Sequence, residues 1–270
     1  MLKKFIYNSS KTDSPSVVRV MPDESGLEYV GFEVCKIQRG ETIKREANEN
    51  EICAVILSGK AKVRTKEISL DSIGNRLDIF EKIPPYSLYV TKDDFCELEA
   101  LTEMVEIAFC FSPSKGSFSS RLIEPKDVGV IERGKGNMKR YVHNILPEEK
   151  EADGLLVVEV FTPEGNWSSY PPHKHDVLNL PEESLLEETY YHRMKPDQGF
   201  AFQRVYTDDL TTDEALVIRD GDVVVVPYGY HPVAASPGHD LYYLNVMAGP
   251  KRLWRFHNDQ NHEWLFKSME

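Results

Sequence analysis

At 270 residues, with 41% of them hydrophobic, the chain can bury one large core or two of ordinary size, which excludes a disordered protein. A formal net charge of -12 and a pI near 5.2 exclude a nucleic-acid backbone or an anionic membrane as a partner drawn by the overall field. No apolar run is long enough to cross a bilayer, and the opening MLKKFIYNSS has no apolar stretch behind its lysines, so the sequence reads as a cytoplasmic protein without a signal peptide.

Taken in chain order, the first half predicts short strands at Glu28–Val34, Glu51–Leu57, Lys60–Arg64, Leu88–Val90 and Val105–Phe111. They are rich in β-branched, aromatic and aliphatic residues and are separated by SGK, IPPYS and TKDD turns. Cys35, Cys53, Cys96 and Cys110 lie inside these apolar runs with no CxxC pair, so they are expected as reduced core thiols. The segment SPSKGSFSSRLIEPKDVGVIERGKGNMKR is rich in Ser, Lys and Gly and reads as a linker. It divides the chain into units 1–120 and 121–270. The second half predicts strands at Leu155–Phe161, Glu187–Arg193, Phe200–Thr207, Ala215–Arg219, Asp222–Val226 and Leu241–Val246, with one helical turn over Pro181–Leu186. Many short strands with few helices predict an all-β sandwich or barrel. Gly40, Glu51 and LSGKAKV are echoed by Gly165, the Glu187/Glu188 pair and its strand, as in a duplicated domain.

The chemistry concentrates in GNWSSYPPHKHD, Gly165 to Asp176. Alternation along an extended chain puts His173 and His175 on one face and Lys174 on the other, so the two imidazoles can take adjacent positions on a metal ion. LLEETYYHR follows with Glu187 and Glu188, and GDVVVVPYGYHP then sets Gly221, Pro227 and Gly229 ahead of His231. Each element alone is weak; the ordered set points to a metal site.

In that order the residues resemble the two motifs of the cupins, whose barrel holds a metal through three histidines and a glutamate. The resemblance implies two cupin-like β-barrels (a bicupin of double-stranded β-helices), 1–120 without metal ligands and 121–270 with the active site. It carries the ligands onto His173, His175, His231 and one glutamate; Glu188 is preferred, because related isomerases show Glu-x-Tyr, here Glu188–Thr189–Tyr190. WSSYPPHKHD, LEETYYHR, GFAFQRVYT, VPYGYHPVAASPGHDLYYLNVMAGP and the closing W-x-F-x-x-D are similar to the family of 5-deoxy-glucuronate isomerases of myo-inositol catabolism. A sister family, the 5-keto-4-deoxyuronate isomerases of pectin breakdown, is the nearest competitor.

Three imidazoles and a carboxylate suit a divalent Zn, Mn or Fe ion. The resemblance implies an aldose–ketose isomerase acting on a small sugar acid, with no nucleic-acid or membrane partner and with self-association into a homo-oligomer left open. Candidates for moving the proton are Glu187, Tyr190, Tyr191 and His192. Candidates for the substrate are Arg204, Arg193 and Arg140 at its carboxylate, with Tyr228, Tyr243 and Asn245 along the cleft. His143, His239, His257 and His262 have no neighbour at ligand spacing and read as structural or surface residues. A cupin dioxygenase and a non-catalytic sugar-binding cupin are the readings from other classes.

Overall fold

Runs such as Ile52–Leu57 and Val223–Val226 place apolar side chains at consecutive positions, a pattern that suits strands covered on both faces. The computed structural model, which describes residues 4–9 and 14–267, shows what covers them. A six-stranded sheet holds, in spatial order, Arg121–Ile123, Ser87–Val90, Asn50–Ser58, Met104–Pro113, Gly31–Gln38 and Ser16–Val20. A seven-stranded sheet holds Ile6–Tyr7, Val223–Val226, Glu187–Lys195, Asp240–Ala248, Leu156–Thr162, Arg140–Leu146 and Gly129–Arg133. All pairings are antiparallel. The four central strands of the two sheets follow one another in the same relative chain order.

These large sheets face each other. Cys53, Val55 and Leu57 of the first pack with Val223, Val225, Tyr242 and Leu244 of the second in one shared core. The opposite face of each is covered by a smaller sheet of its own half. Thr42–Glu46, Phe95–Ala100, Ala61–Arg64 and Ser69–Ile73 cover the first, where Ile37, Ile52, Ile56, Leu98 and Phe109 fill the interior. Trp167–Ser168, Val233–Ala235, Ala201–Tyr206 and Asp213–Ile218 cover the second. Each fully buried Val, Leu, Ile or Phe contributes about 1.5–3 kcal/mol.

Buried carboxylates fasten the halves together. Glu159 of the second half accepts both ends of the Arg76 guanidinium at 2.8 Å, with His143 at 2.7 Å and the Tyr242 hydroxyl at 3.0 Å. Glu106 of the first accepts the Tyr191 hydroxyl at 2.6 Å and Arg193 at 2.7 Å. Glu51 accepts the backbone N–H groups of Asp153, Gly154 and Leu155, and Glu187 accepts those of Glu28 and Tyr29. The two glutamates that echo each other in sequence thus do matching work from opposite sides.

Two sequence expectations are corrected. Pro181–Leu186 does not form a helical turn; Glu183–Leu185 is the return strand of a hairpin with Asp176–Asn179, held by Glu183 accepting the N–H of Asp176 at 2.9 Å. The presumed linker contains two strands, Arg121–Ile123 on the first half's sheet and Gly129–Arg133 on the second's. They are short edge strands, and the second is largely exposed, so their composition resembles a loop. The chain therefore changes sheet between Ile123 and Gly129, while Ile6–Tyr7 already pairs with Val223–Val224 of the second half. The four cysteines are free and buried. Among the described residues no helix is long and apolar enough to cross a membrane.

Candidate metal centre

His173, His175 and His231 come together inside the second half, with a ligand atom of each within 4.8 Å of the others. His173 lies on a short bridge, His173–Lys174, paired with His257–Asn258. Lys174 points away, as alternation requires, to Asp176 at 3.0 Å and Asp208 at 3.2 Å. The closing segment of the chain clamps this bridge. Asp259 donates its N–H to the Pro172 carbonyl, its carboxylate accepts the Tyr206 hydroxyl at 2.6 Å, and the Phe256 ring lies 4.9 Å from that of His173. His231 follows the turn at Gly229, whose φ of +89° is left-handed and whose Cβ position would lie 2.6 Å from the Tyr206 carbonyl oxygen. Glycine is needed there on both counts.

Two of the imidazoles spend one nitrogen on the backbone. His175 Nδ1 lies 3.0 Å from the Leu186 carbonyl oxygen and His231 Nδ1 2.8 Å from that of Gly229; a carbonyl only accepts, so both Nδ1 atoms carry the hydrogen. The Nε2 atoms of His175 and His231 are buried, have no hydrogen-bond donor or acceptor suited to a neutral ring, and turn their lone pairs inward. Backbone carbonyls that fix the tautomer in this way are the usual support of histidine ligands.

Glu188 borders the three histidines. Its carboxylate oxygens lie 2.6 Å from His175 Nε2 and 3.5 Å from His231 Nε2, and one accepts the Asn245 amide at 3.1 Å. Two acceptors 2.6 Å apart require a proton or a metal cation between them. Burial opposes ionisation of Glu188, yet His175 and His231 hold its carboxyl well below the usual range. Burial lowers His173 and His231, with the neighbouring imidazoles adding to the effect. For His175 the Glu188 carboxylate outweighs burial and favours the proton, which a metal would have to displace.

A cleft opens beside this cluster, lined by His173, Glu188, Tyr190, Tyr243, Asn245, Ser169, Arg133, Arg140 and Trp254. The Tyr190 hydroxyl lies 3.4 Å from Ser169 Oγ, and its phenol is held well above its ordinary pKa, first by burial and then by the Glu188 carboxylate. The other sequence candidates lie elsewhere. Glu187 points to the opposite face of its strand and binds backbone amides of the first half. His192 shares the inward face but sits behind Tyr190, stacked on its ring and bonded to Gln203 at 3.2 Å; burial pushes it down to about 3. Arg193 is consumed by Glu106 and Asp220 between the halves. Arg204 is exposed and paired with Asp213 at 2.6 Å, because Gln203 takes the inward position. Tyr228 stands on the turn before His231 with its hydroxyl 3.3 Å from that of Thr212, away from the cleft lining. Arg133 was hidden in the presumed linker; its pairing with Arg140 across a short ribbon was the missing signal.

The model of the KduI/IolB family matches residues 5–265. A 5-deoxy-glucuronate isomerase of Geobacillus thermodenitrificans (strain NG80-2) is 58% identical over 268 residues, covering 99% of this chain and 97% of the relative. One of Bacillus subtilis (strain 168) is 48% identical over 252 residues, covering 93% of each. The crystal structure of an IolB-like protein from Salmonella typhimurium LT2 superposes with a TM-score of 0.95 at 46% identity, covering 97% of this chain and 99% of that one. A mutant oxalate decarboxylase of Bacillus subtilis superposes with a TM-score of 0.66 at 14% identity, covering 96% of this chain and 80% of its own, and shares the cupin-like β fold alone.

Proposed function

We propose that this chain, which belongs to the KduI/IolB family, is a metal-dependent isomerase that converts 5-deoxy-glucuronate into 2-deoxy-5-keto-gluconate in the cytoplasm. The activity rests on relatives of that name, 48–58% identical, that match nearly the whole chain. The observation that carries the metal dependence is the approach of His175 and Glu188 with the His175 hydrogen already committed to Leu186. That donor set fits a divalent cation.

His173, His175, Glu188 and His231 would hold a Zn, Mn or Fe ion. Such an ion, when bound, supplies a Lewis acid that polarises a carbonyl and its neighbouring hydroxyl. The remaining work belongs to the chain. Aldose–ketose isomerisation moves one proton between neighbouring carbons and another between their oxygens. Tyr190 lines the cleft beside Glu188 and keeps its phenolic proton at neutral pH, so it serves as the donor at a substrate oxygen. His192, stacked behind it and anchored by Gln203, fixes the ring that carries that hydroxyl. Tyr243, with its hydroxyl bonded to Ser168, walls the cleft beside Tyr190.

We read the halves as two cupin-like barrels, with the first, near residues 1–120, serving assembly and packing. In support, its interior is filled by apolar side chains, and the only metal-type histidine cluster among the described residues lies in the second, near 121–270. An assay of metal-loaded protein with 5-deoxy-glucuronate and 5-keto-4-deoxyuronate side by side tests the substrate assignment. The reading predicts turnover of the first in clear preference; preference for the second would overturn it.

A further inference from the structure

We propose that Arg133 and Arg140 together form the subsite for the carboxylate of the sugar-acid substrate, an inference that rests on the isomerase reading and deepens it. The two residues are directly opposite each other on antiparallel strands, Gly129–Arg133 and Arg140–Leu146. Like charges facing each other across a ladder are destabilising unless something neutralises them. Among the described residues no carboxylate does. Arg45, Arg76, Arg193, Arg204 and Arg255 each pair with a carboxylate; among the described residues Arg39, Arg121, Arg133, Arg140, Arg219 and Arg252 do not, and of these Arg133 and Arg140 line the cleft beside His173.

Both guanidiniums line the same cleft as His173 and Glu188. Burial lowers the pKa of both, and Arg133 lowers that of Arg140 further, the signature of two cations sharing a partly dry space. They are also held in place. Arg140 Nη1 donates to the Met138 carbonyl at 3.0 Å and the Tyr170 carbonyl at 3.1 Å. That occupies both hydrogens of Nη1 and leaves the Nε and Nη2 edge, the fork that grips a carboxylate with two parallel bonds. Arg133 lies over the Trp254 ring at 5.2 Å. Gly134, with φ of +75°, lets the ribbon fold this tightly; a Cβ there would lie 2.1 Å from the Met138 carbonyl oxygen and 2.9 Å from Arg140 Nη1.

An anion in this pocket neutralises both cations at once. In 5-deoxy-glucuronate the carboxylate is at the opposite end of the chain from the aldehyde, separated from the reacting C1–C2 pair by three carbons. With the carboxylate at the arginines, the aldehyde end is presented to Glu188, Tyr190 and the histidines. The subsite thus sets both specificity for an acid and the direction in which it lies.

The test compares the parent with Arg140→Lys, which keeps the charge but loses the fork, and with Arg133→Gln. The first readout is the ratio of kcat/KM for 5-deoxy-glucuronate to that for 5-deoxy-glucose, which has a hydroxymethyl in place of the carboxylate. Each variant should lower this ratio by about 30-fold or more, the usual effect of truncating one partner of a buried charge pair, with metal content and thermal midpoint retained. Both activities falling together at a constant ratio would mean a structural role and overturn the proposal. The second readout is calorimetric binding of D-glucuronate to the metal-loaded proteins. Weakening in both variants supports the subsite, and equal affinity in parent and variants refutes it. If the parent fails to isomerise 5-deoxy-glucuronate, the isomerase reading falls, while the calorimetry still decides whether a carboxylate sits at these arginines.

Discussion

His175 Nε2 and a carboxylate oxygen of Glu188 lie 2.6 Å apart, while His175 Nδ1 donates to the Leu186 carbonyl. The other ring nitrogen is therefore aimed at an acceptor, an approach that requires a proton or a metal cation between them. Glu188 reaches the same point from the inward face of its strand, one residue from Glu187, which faces the other half of the molecule. Neighbouring glutamates on a strand serve different ends because their side chains point oppositely.

That separation gives the first prediction. Glu188→Gln should lose most of its bound metal, measured by elemental analysis after metal loading and desalting, because the amide removes an anionic ligand. Glu187→Gln should keep full metal. It should instead lose about 1–3 kcal/mol of stability in denaturant unfolding, as the hydrogen bonds to Glu28 and Tyr29 weaken. Metal loss in the second variant and not the first would exchange their roles.

Tyr190→Phe tests the proton donor. Tyr190 lines the cleft beside Glu188, and its ring packs against His192 and Tyr243 and is preserved by phenylalanine. kcat should fall by about 10²–10⁴-fold, the usual range for one acid–base group, with metal stoichiometry unchanged. Retention of kcat within a few-fold would remove Tyr190 from the chemistry.

How much was legible in advance follows from side-chain alternation and spacing. His173, His175 and His231 stood out because HxH and a histidine after a PxG turn are local patterns. The choice of Glu188 also decided which residues share its face, Tyr190 and His192, and which face the first half, Tyr191 and Arg193. Arg193 was therefore a poor candidate on alternation alone, and Arg204 lost its place to Gln203 by the same rule. His143 is buried and bonds Glu159 through Nδ1. Less legible were contacts between segments far apart in the chain. The clamp of Asp259 and Phe256 over the His173 bridge, and the Arg133–Arg140 pair behind a loop-like composition, depend on long-range folding that no local pattern carries.

The junction between the halves yields a pH-dependent prediction. Burial opposes ionisation of Glu159, but Arg76 and His143 outweigh it and hold the carboxyl below its usual range. A carboxylate with a depressed folded pKa adds stability above its unfolded pKa, about 4.3, and loses it as pH falls through the lower folded value. Glu159→Gln leaves Arg76 buried without its counter-charge and should cost about 3–5 kcal/mol at pH 7. Measured by urea unfolding, the gap between variant and parent should begin to narrow below about pH 4, where Glu159 of the unfolded parent takes up a proton, and close further as the pH falls through the lower folded value. A gap independent of pH would show that the ion pair is not its source.

The most direct measurement is proton NMR of 5-deoxy-glucuronate incubated without oxygen with the metal-loaded protein, and in parallel with protein stripped by a chelator. The account predicts that the loaded protein replaces the aldehyde signal with the hydroxymethyl signals of 2-deoxy-5-keto-gluconate, that the stripped protein does not, and that returning a divalent ion restores conversion. An unchanged aldehyde signal with fully loaded protein, or equal conversion by the stripped protein, would contradict it.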